Sequence, residues 1–472
     1  METKTVKVNW RGSQLEEHSL AIVNRNICRH LQKQNIILRK EIPEKEKLLE
    51  SYLKDRTGSF KPFAEPDVTI SHQWPPDFSR PKTGLSICMQ PWEFGAIPRD
   101  WYIPMKYWMD EIWVYSSWNK ESYVRSGIPE SKVHVIPLGV DGHVFHQDAE
   151  PRAFEAPSSF KFLFVGGTIG RKGIDILLRA YLNEFTAEED VCLIIKDTGT
   201  KSFYKGITLE KMILEAMSEP TNPRIKYIDA QLSGEELAGL YKGCDCLVHP
   251  YRGEGFGLPI AEAMACGLPA IVPDKGSSQD FCSEETAFFI PSTEVAIAEK
   301  RIGNLETIDH PWWLSIKPED LQKTMRTVFG NRTLAREKGK KASEHIRASF
   351  TWEKSSERIS GRIEHLVSRR KGPVLSDKAI IETELKRANE LHSGNRSEEA
   401  LGVFQNILAV YPDTIMARYN SAIIYMEKKL YQKAIGQLAS IAQNMGKQDK
   451  EFQDEIWRMV GICFSKMKSI VE

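Results

Sequence analysis

The sequence predicts an α/β protein: two Rossmann-like domains facing each other across a cleft, then an all-α domain of helical repeats. Three observations carry that prediction. Short apolar runs alternate with longer amphipathic ones from Val6 to about Val144, the rhythm of strand and helix around a parallel sheet. The polar, proline-containing stretch from Asp148 to Ser159 reads as a linker, and a second alternating unit follows it. After Pro373 the pattern turns wholly helical and repeats with a shift of 34 residues. The expected domains are therefore 1–147, 148–372 and 373–472.

In the first domain the expected strands are Val6–Trp10, Val68–Ser71, Leu85–Met89, Ile112–Tyr115 and Val133–Ile136, with a helix over about Leu15–Gln32. The second has Lys161–Val165, Val191–Lys196, Ile225–Ile228, Cys246–His249, Ala270–Val272 and Ala287–Ile290. Between its strands, Ile174, Leu177, Leu178, Tyr181 and Leu182 recur at helical spacing, and Ser233 with Glu236 forms a capping box. Two doubly wound units place a ligand site in the cleft, because such sheets bind ligands at the carboxyl ends of their strands. In the last domain Ala388, Leu391, Ala400 and Phe404 are matched 34 residues later by Ala422, Tyr425, Ala434 and Leu438, and Trp457, Val460, Gly461 and Phe464 open a third copy. This module resembles the tetratricopeptide repeat and is expected to add a partner surface and no chemistry.

Composition narrows the function. Lys plus Arg balances Asp plus Glu at 64 each, so no global field draws the chain to nucleic acid. The start, Met1 to Gly12, passes into a strand-like run without a secretory apolar stretch, and no run approaches the ~18 residues that span a bilayer. A cytoplasmic location, or one peripheral at an inner membrane face, is expected. Eight scattered cysteines lack paired metal-ligand spacing and read as buried free thiols.

The chemistry concentrates in Glu254-Gly-Phe-Gly-Leu-Pro-Ile-Ala-Glu262, a loop that runs from an apolar strand into a helix. Backbone N–H groups around Phe256, Gly257 and Leu258 suit an anion at the helix start, with Pro259 tolerated in the first turn. Glu254 and Glu262 suit hydroxyl groups, one set on a sugar and one on a ribose. A second constellation, Gly166-Gly167-Thr-Ile-Gly-Arg171-Lys172-Gly173, sets two cations at a glycine turn, as a diphosphate requires.

The frame from Glu254 to Pro269 resembles the signature of the retaining glycosyltransferase family four (group 1), whose members pair two Rossmann-like domains in the B-type fold. The resemblance covers about residues 6–370. It implies that Glu254 binds the transferred sugar, Glu262 the ribose, and Lys172 the diphosphate. The family's Arg position is held here by Thr168, and its role falls to the displaced Arg171. Gly12 and Ser13 match the turn that approaches the donor phosphates. Where the family places a His after the strand Leu85–Met89, this chain reads Gln90-Pro-Trp92-Glu93, and His72 is the substitute. Trp74 and Trp92, with Gln90 and Glu93, are assigned to the acceptor side.

The expected activity is transfer of a sugar from a UDP- or GDP-sugar to a glycan, lipid-linked or protein acceptor, with retention. No cofactor or metal is expected, because no Asp-x-Asp pair is present and Lys172, Arg171 and backbone amides take an ion's place. Glu254, Lys172, Arg171 and His72 are the catalytic candidates. The repeats are expected to recruit an acceptor or partner protein. The alternative is an inactive transferase-like scaffold that displays the repeats.

Overall fold

The computed structural model describes residues 5–16, 18–34, 36–43, 65–152, 158–199, 206–369, 375–444 and 450–471. Part of the expected linker, 153–157, and the change of pattern at Pro373 lie outside them. The chain divides into two compact units. One holds Met1–Ala96, Met109–Ala298 and Pro311–Arg370, and the other Ile97–Trp108, Glu299–His310 and Lys371–Glu472.

The first unit contains two parallel six-stranded sheets. Strands β1 (Val6–Arg11), β2 (Ile36–Glu41), β3 (Val68–Ser71), β4 (Leu85–Met89), β5 (Glu111–Val114) and β6 (Val133–Val135) lie in the order 2-1-3-4-5-6. Helix α1 (Ser19–Leu31) begins four residues later than its periodicity suggests. Arg25 draws the carbonyls of Gln14 and Glu16 to its guanidinium at 3.0 and 2.6 Å, which keeps 13–16 out of the helix, and His18 Nδ1 caps it by accepting from Ala21 N. Strand β2 is not announced by the pattern, because Arg39, Lys40 and Glu41 dilute its apolar alternation; its partner β1 and not its composition makes it a strand.

The second sheet has β7 (Phe160–Gly166), β8 (Val191–Asp197), β9 (Arg224–Ile228), β10 (Cys246–Val248), β11 (Ala270–Pro273) and β12 (Ala287–Ile290) in the order 12-11-10-7-8-9. Every residue of β8 and β10 is buried, as continuous apolar runs in a sheet covered on both faces should be. Its order reverses between β7 and β10, which opens the crevice where doubly wound sheets take their ligands. The helices flanking that crevice matter most: α4 (Ile174–Glu184) after β7, α6 (Gly234–Lys242) before β10 and α7 (Leu258–Ala265) after it, with α2 (Arg99–Ile103), α3 (Ser117–Arg125) and α5 (Glu210–Ser218) elsewhere. The Ser233–Glu236 capping box opens α6 with bonds of 3.1 and 2.9 Å. Helices α8 (Pro318–Gly330), α9 (Arg332–Ser349) and α10 (Trp352–Ser368) end the unit. From α10, Arg362 reaches back to pair with Glu111 of β5, so the last helix closes on the first sheet. The eight cysteines are free thiols, Cys244 half-buried and the rest buried.

Among its described residues the second unit is all-helical apart from one hairpin. Its helices are α11 (Asp377–Ser393), α12 (Ser397–Val410), α13 (Ile415–Glu427), α14 (Tyr431–Asn444) and α15 (Lys450–Val471). Ala388 and Ala422, Ala400 and Ala434, and Phe404 and Leu438 are all fully buried, so the 34-residue shift relates equivalent packing positions. What the sequence did not announce is that this unit takes in α2 and the hairpin β13 (Arg301–Ile302) to β14 (Leu305–Glu306). Arg99 of α2 is the hub: it donates to Asn406 Oδ1 at 2.6 Å, to Gly402 O at 3.1 Å and to Thr307 O at 3.1 Å. Glu384, buried, accepts from Lys106 Nζ at 2.7 Å and Tyr107 Oη at 2.5 Å. No described helix is long and apolar enough to cross a membrane.

Candidate active site

Two loops meet at the reversal between β7 and β10. The first, 166–173, ends in Gly173, whose φ of 75° lies in the left-handed region; a Cβ there would sit 1.9 Å from Pro250 O in the second loop. That close approach brings Arg171 and Lys172 against residues 249–254. Arg252 locks the pair of loops together, with a bidentate bond to Asp175 at 2.7 Å on both arms, a further bond to Gly170 O, and its own N–H on Arg171 O at 2.8 Å. Sequence reading missed Arg252. Its position inside a charged, glycine-rich loop beside a candidate carboxylate was the available signal.

Lys172 Nζ donates to Glu254 Oε1, and Arg171 Nη1 lies 3.8 Å from Glu254 Oε2, 3.6 Å from Glu93 Oε1 and 2.6 Å from Gly253 O. Burial by itself would raise the Glu254 carboxyl, but Lys172 and Arg171 outweigh it and hold it down at about 2. The site is thus an ionised carboxylate between two cations. His249 closes it from beneath: fully buried, stacked on Phe164 at 5.3 Å between ring centroids, with Nε2 4.0 Å from Glu254 Oε1.

The first sheet domain meets this cluster directly. A Cβ at Gly253 would lie 2.2 Å from Glu93 O, and Asn119 Nδ2 donates to Trp92 O at 3.1 Å and to Glu254 O at 3.4 Å. Of the acceptor-side candidates, Glu93 brings its side chain to the charged cluster. Gln90 is buried, its carbonyl holding the Tyr123 hydroxyl at 2.7 Å. Trp92 is buried with Nε1 on Ala96 O at 2.9 Å, and Trp74 is 43% exposed.

Gly12, Ser13 and His72 gather at the corresponding reversal of the first sheet, between β1 and β3. His72 is fully buried; its Nδ1 donates to Asn24 Oδ1 at 2.5 Å and its Nε2 accepts from Tyr115 Oη. Burial drives its pKa down to about 3, so the ring is neutral. Both nitrogens are spent on the protein. Tyr115 then spans towards the charged cluster, with Cδ2 3.2 Å from where a Gly255 Cβ would be. Ser13 Oγ is buried and has no hydrogen-bond partner among the described residues.

Phe256 is buried under the loop, its carbonyl accepting from Ser277 Oγ at 3.2 Å, and Gly257 precedes Leu258 at the start of α7. Glu262, one turn in, accepts from Tyr241 Oη of α6 at 3.1 Å. With no cation beside it among the described residues, burial pushes its carboxyl up to about 8, only partly opposed by the Tyr241 bond. Thr168 N donates to Asp197 Oδ1 at 3.1 Å at the end of β8, whereas Gly166 and Gly167 line the exit of β7.

Residues 159–306 match the family model described as glycosyl transferases group 1. This stretch is similar to the group 1 glycosyltransferases. An uncharacterized glycosyltransferase of Methanocaldococcus jannaschii is 27% identical to the chain over 238 residues, 49% of this chain and 54% of that protein. The chain spans about a third to a half of the length of the curated relatives it matches. Among solved structures, sucrose-phosphate synthase from Thermosynechococcus elongatus aligns with a TM-score of 0.55 at 16% identity, covering 76% of this chain and 99% of that one. Anabaena HepE in complex with UDP-glucose aligns with a TM-score of 0.54 at 12% identity, covering 76% and 100%. The two-sheet unit therefore has a GT-B-like glycosyltransferase fold. Within the matched residues lie Gly166, Lys172, Glu254 and Glu262; Gly12, Ser13, His72 and the acceptor-side candidates lie outside them.

Proposed function

We propose that the chain is a retaining glycosyltransferase that moves a sugar from a UDP- or GDP-sugar to a glycan, lipid-linked or protein acceptor. The convergence of Lys172, Arg171 and Glu254 at the β7–β10 reversal carries this reading. A diphosphate arriving there offers oxygens to Lys172, whose present partner is Glu254; once Lys172 turns to the phosphates, Glu254 is available to sugar hydroxyls. Glu262 takes the ribose. The acceptor hydroxyl attacks the anomeric carbon on the face the diphosphate leaves. The bond from that carbon to the phosphate oxygen breaks, and a phosphate oxygen takes the hydroxyl proton. Position and fixed charge supply the catalysis, with the protein's cations in place of a divalent ion. His72, its nitrogens both engaged, serves here to hold Tyr115 and not to touch the sugar. The buried alanines 34 residues apart support a tetratricopeptide-like helical unit that recruits the acceptor or a partner.

Release of nucleoside diphosphate from a panel of nucleotide sugars tests the reading, with the anomeric configuration of the product followed by NMR. Glu254→Ala should lower turnover about ten- to a hundredfold, the ~1.5–3 kcal/mol of one charge-assisted bond. Wild-type turnover in that variant would remove Glu254 from the donor site.

A further inference from the structure

His249 is the group that the proposed reaction leaves unexplained. It ends an apolar run, is fully buried, and neither of its ring nitrogens has a hydrogen-bond partner among the described residues. Buried polar side chains in folded proteins nearly always have partners, and one that lacks them usually has a task. Its ring is held on one face by Phe164, with an angle of 19° between the planes, which fixes where the nitrogens point. Nε2 faces the charged cluster: it lies 4.0 Å from Glu254 Oε1, the same oxygen that Lys172 holds, and 3.7 Å from the position a Gly166 Cβ would fill. A Cβ at 166 would press instead on Lys172, whose Cδ would be 3.0 Å away.

As they stand, Lys172 and Glu254 satisfy one another. A diphosphate that takes Lys172 leaves the buried carboxylate without its nearer cation, Arg171 lying 3.8 Å from the other oxygen, Oε2, so that Oε1 is uncompensated unless another donor stands ready. We infer that His249 is a positioning residue for Glu254: its Nε2–H takes over the carboxylate oxygen that Lys172 releases and keeps it aimed at the transferred sugar. Desolvation and the nearby Lys172 push the imidazole pKa down to about 3, so the ring is a neutral donor that adds no repulsion towards Lys172. The inference rests on the glycosyltransferase reading above and adds a residue to it.

The test separates the sugar from the nucleotide. UDP and UDP-glucose, and in parallel GDP and GDP-mannose, are titrated into wild type, His249→Phe and His249→Gln, with kcat/KM for diphosphate release and a melting curve for each. Phenylalanine keeps the stack on Phe164 and removes the donor, so His249→Phe should melt no lower than wild type. It should bind the nucleoside diphosphate within about twofold of wild type yet lose on the order of tenfold in kcat/KM for the nucleotide sugar. Glutamine keeps an N–H and should restore part of that loss. Should His249→Phe fail to fold, His249→Leu carries the same comparison. Unchanged kcat/KM in the apolar variant overturns the inference, as does an equal loss of nucleotide and nucleotide-sugar affinity, which would make His249 a packing residue. A wild type that binds neither UDP nor GDP overturns the underlying reading instead.

Discussion

Lys172 has one charge and two claimants, the Glu254 carboxylate it now holds and the diphosphate proposed to arrive. Replacing it by alanine should therefore act twice. Glu254 is left buried without its nearer cation, and breaking one side of a buried pair costs ~3–5 kcal/mol, which thermal unfolding would detect. Affinity for free nucleoside diphosphate, read by calorimetry, should fall as well; unchanged affinity would place the diphosphate elsewhere. Glu262 makes the opposite electrostatic case. Its folded carboxyl keeps its proton up to about 8 while an unfolded one releases it near 4.5, so between those values the folded state binds more protons and raising the pH weakens it. Glu262→Gln should lose that slope. Melting curves of both proteins from about pH 5 to 9 should diverge, with the wild type declining more; parallel curves would mean that Glu262 is ionised throughout. Both carboxylates were legible from their spacing, but the difference in their charge was not, because it depends on cations that approach one and miss the other.

The turn from β7 to α4 works only as tightly as Gly173 allows. Gly173→Ala would drive a methyl into Pro250 O and ask for a left-handed backbone, a cost of ~1–3 kcal/mol. The expected result is a lower melting temperature together with weaker nucleotide binding, since the same turn carries Arg171 and Lys172; a variant that melts lower but binds normally would uncouple the turn from the site. At this scale the sequence was informative where a strand is apolar throughout and a glycine loop follows it. It was poor at β2, where pairing with β1 overrides a charged composition. It was poor again at the start of α1, which Arg25 sets from within the helix by drawing in the carbonyls of Gln14 and Glu16. His249 escaped notice for a related reason. A lone histidine ending an apolar strand reads as core until its missing partners are visible.

The largest departure from the sequence reading is the company the C-terminal helices keep. A repeat module reads as separable, yet this one shares its interior with Ile97–Trp108 and Glu299–His310, segments that interrupt the two sheet domains. No local pattern could announce the bonds from Arg99 to Gly402 and Asn406, which span 303 and 307 positions of the chain. Ending the chain at residue 369 should therefore do more than delete a partner surface. Limited proteolysis of the shortened protein should cut within 97–108 or 299–310 well before the sheet domains, and protection of both segments would show that they stand without the helices.

The same arrangement has a consequence for how the protein is made. Trp101, Tyr102 and Ile103 are buried in the finished molecule, and Arg99 spends its guanidinium on groups from the far end of the chain. A ribosome adding ~5–20 residues per second delivers α12 about 15 to 60 seconds after Arg99. Throughout that interval an aromatic segment of the nascent chain waits without its cover. Its exposure is set by the speed of translation, so rapid synthesis protects it and pauses between the two segments leave it open to other chains.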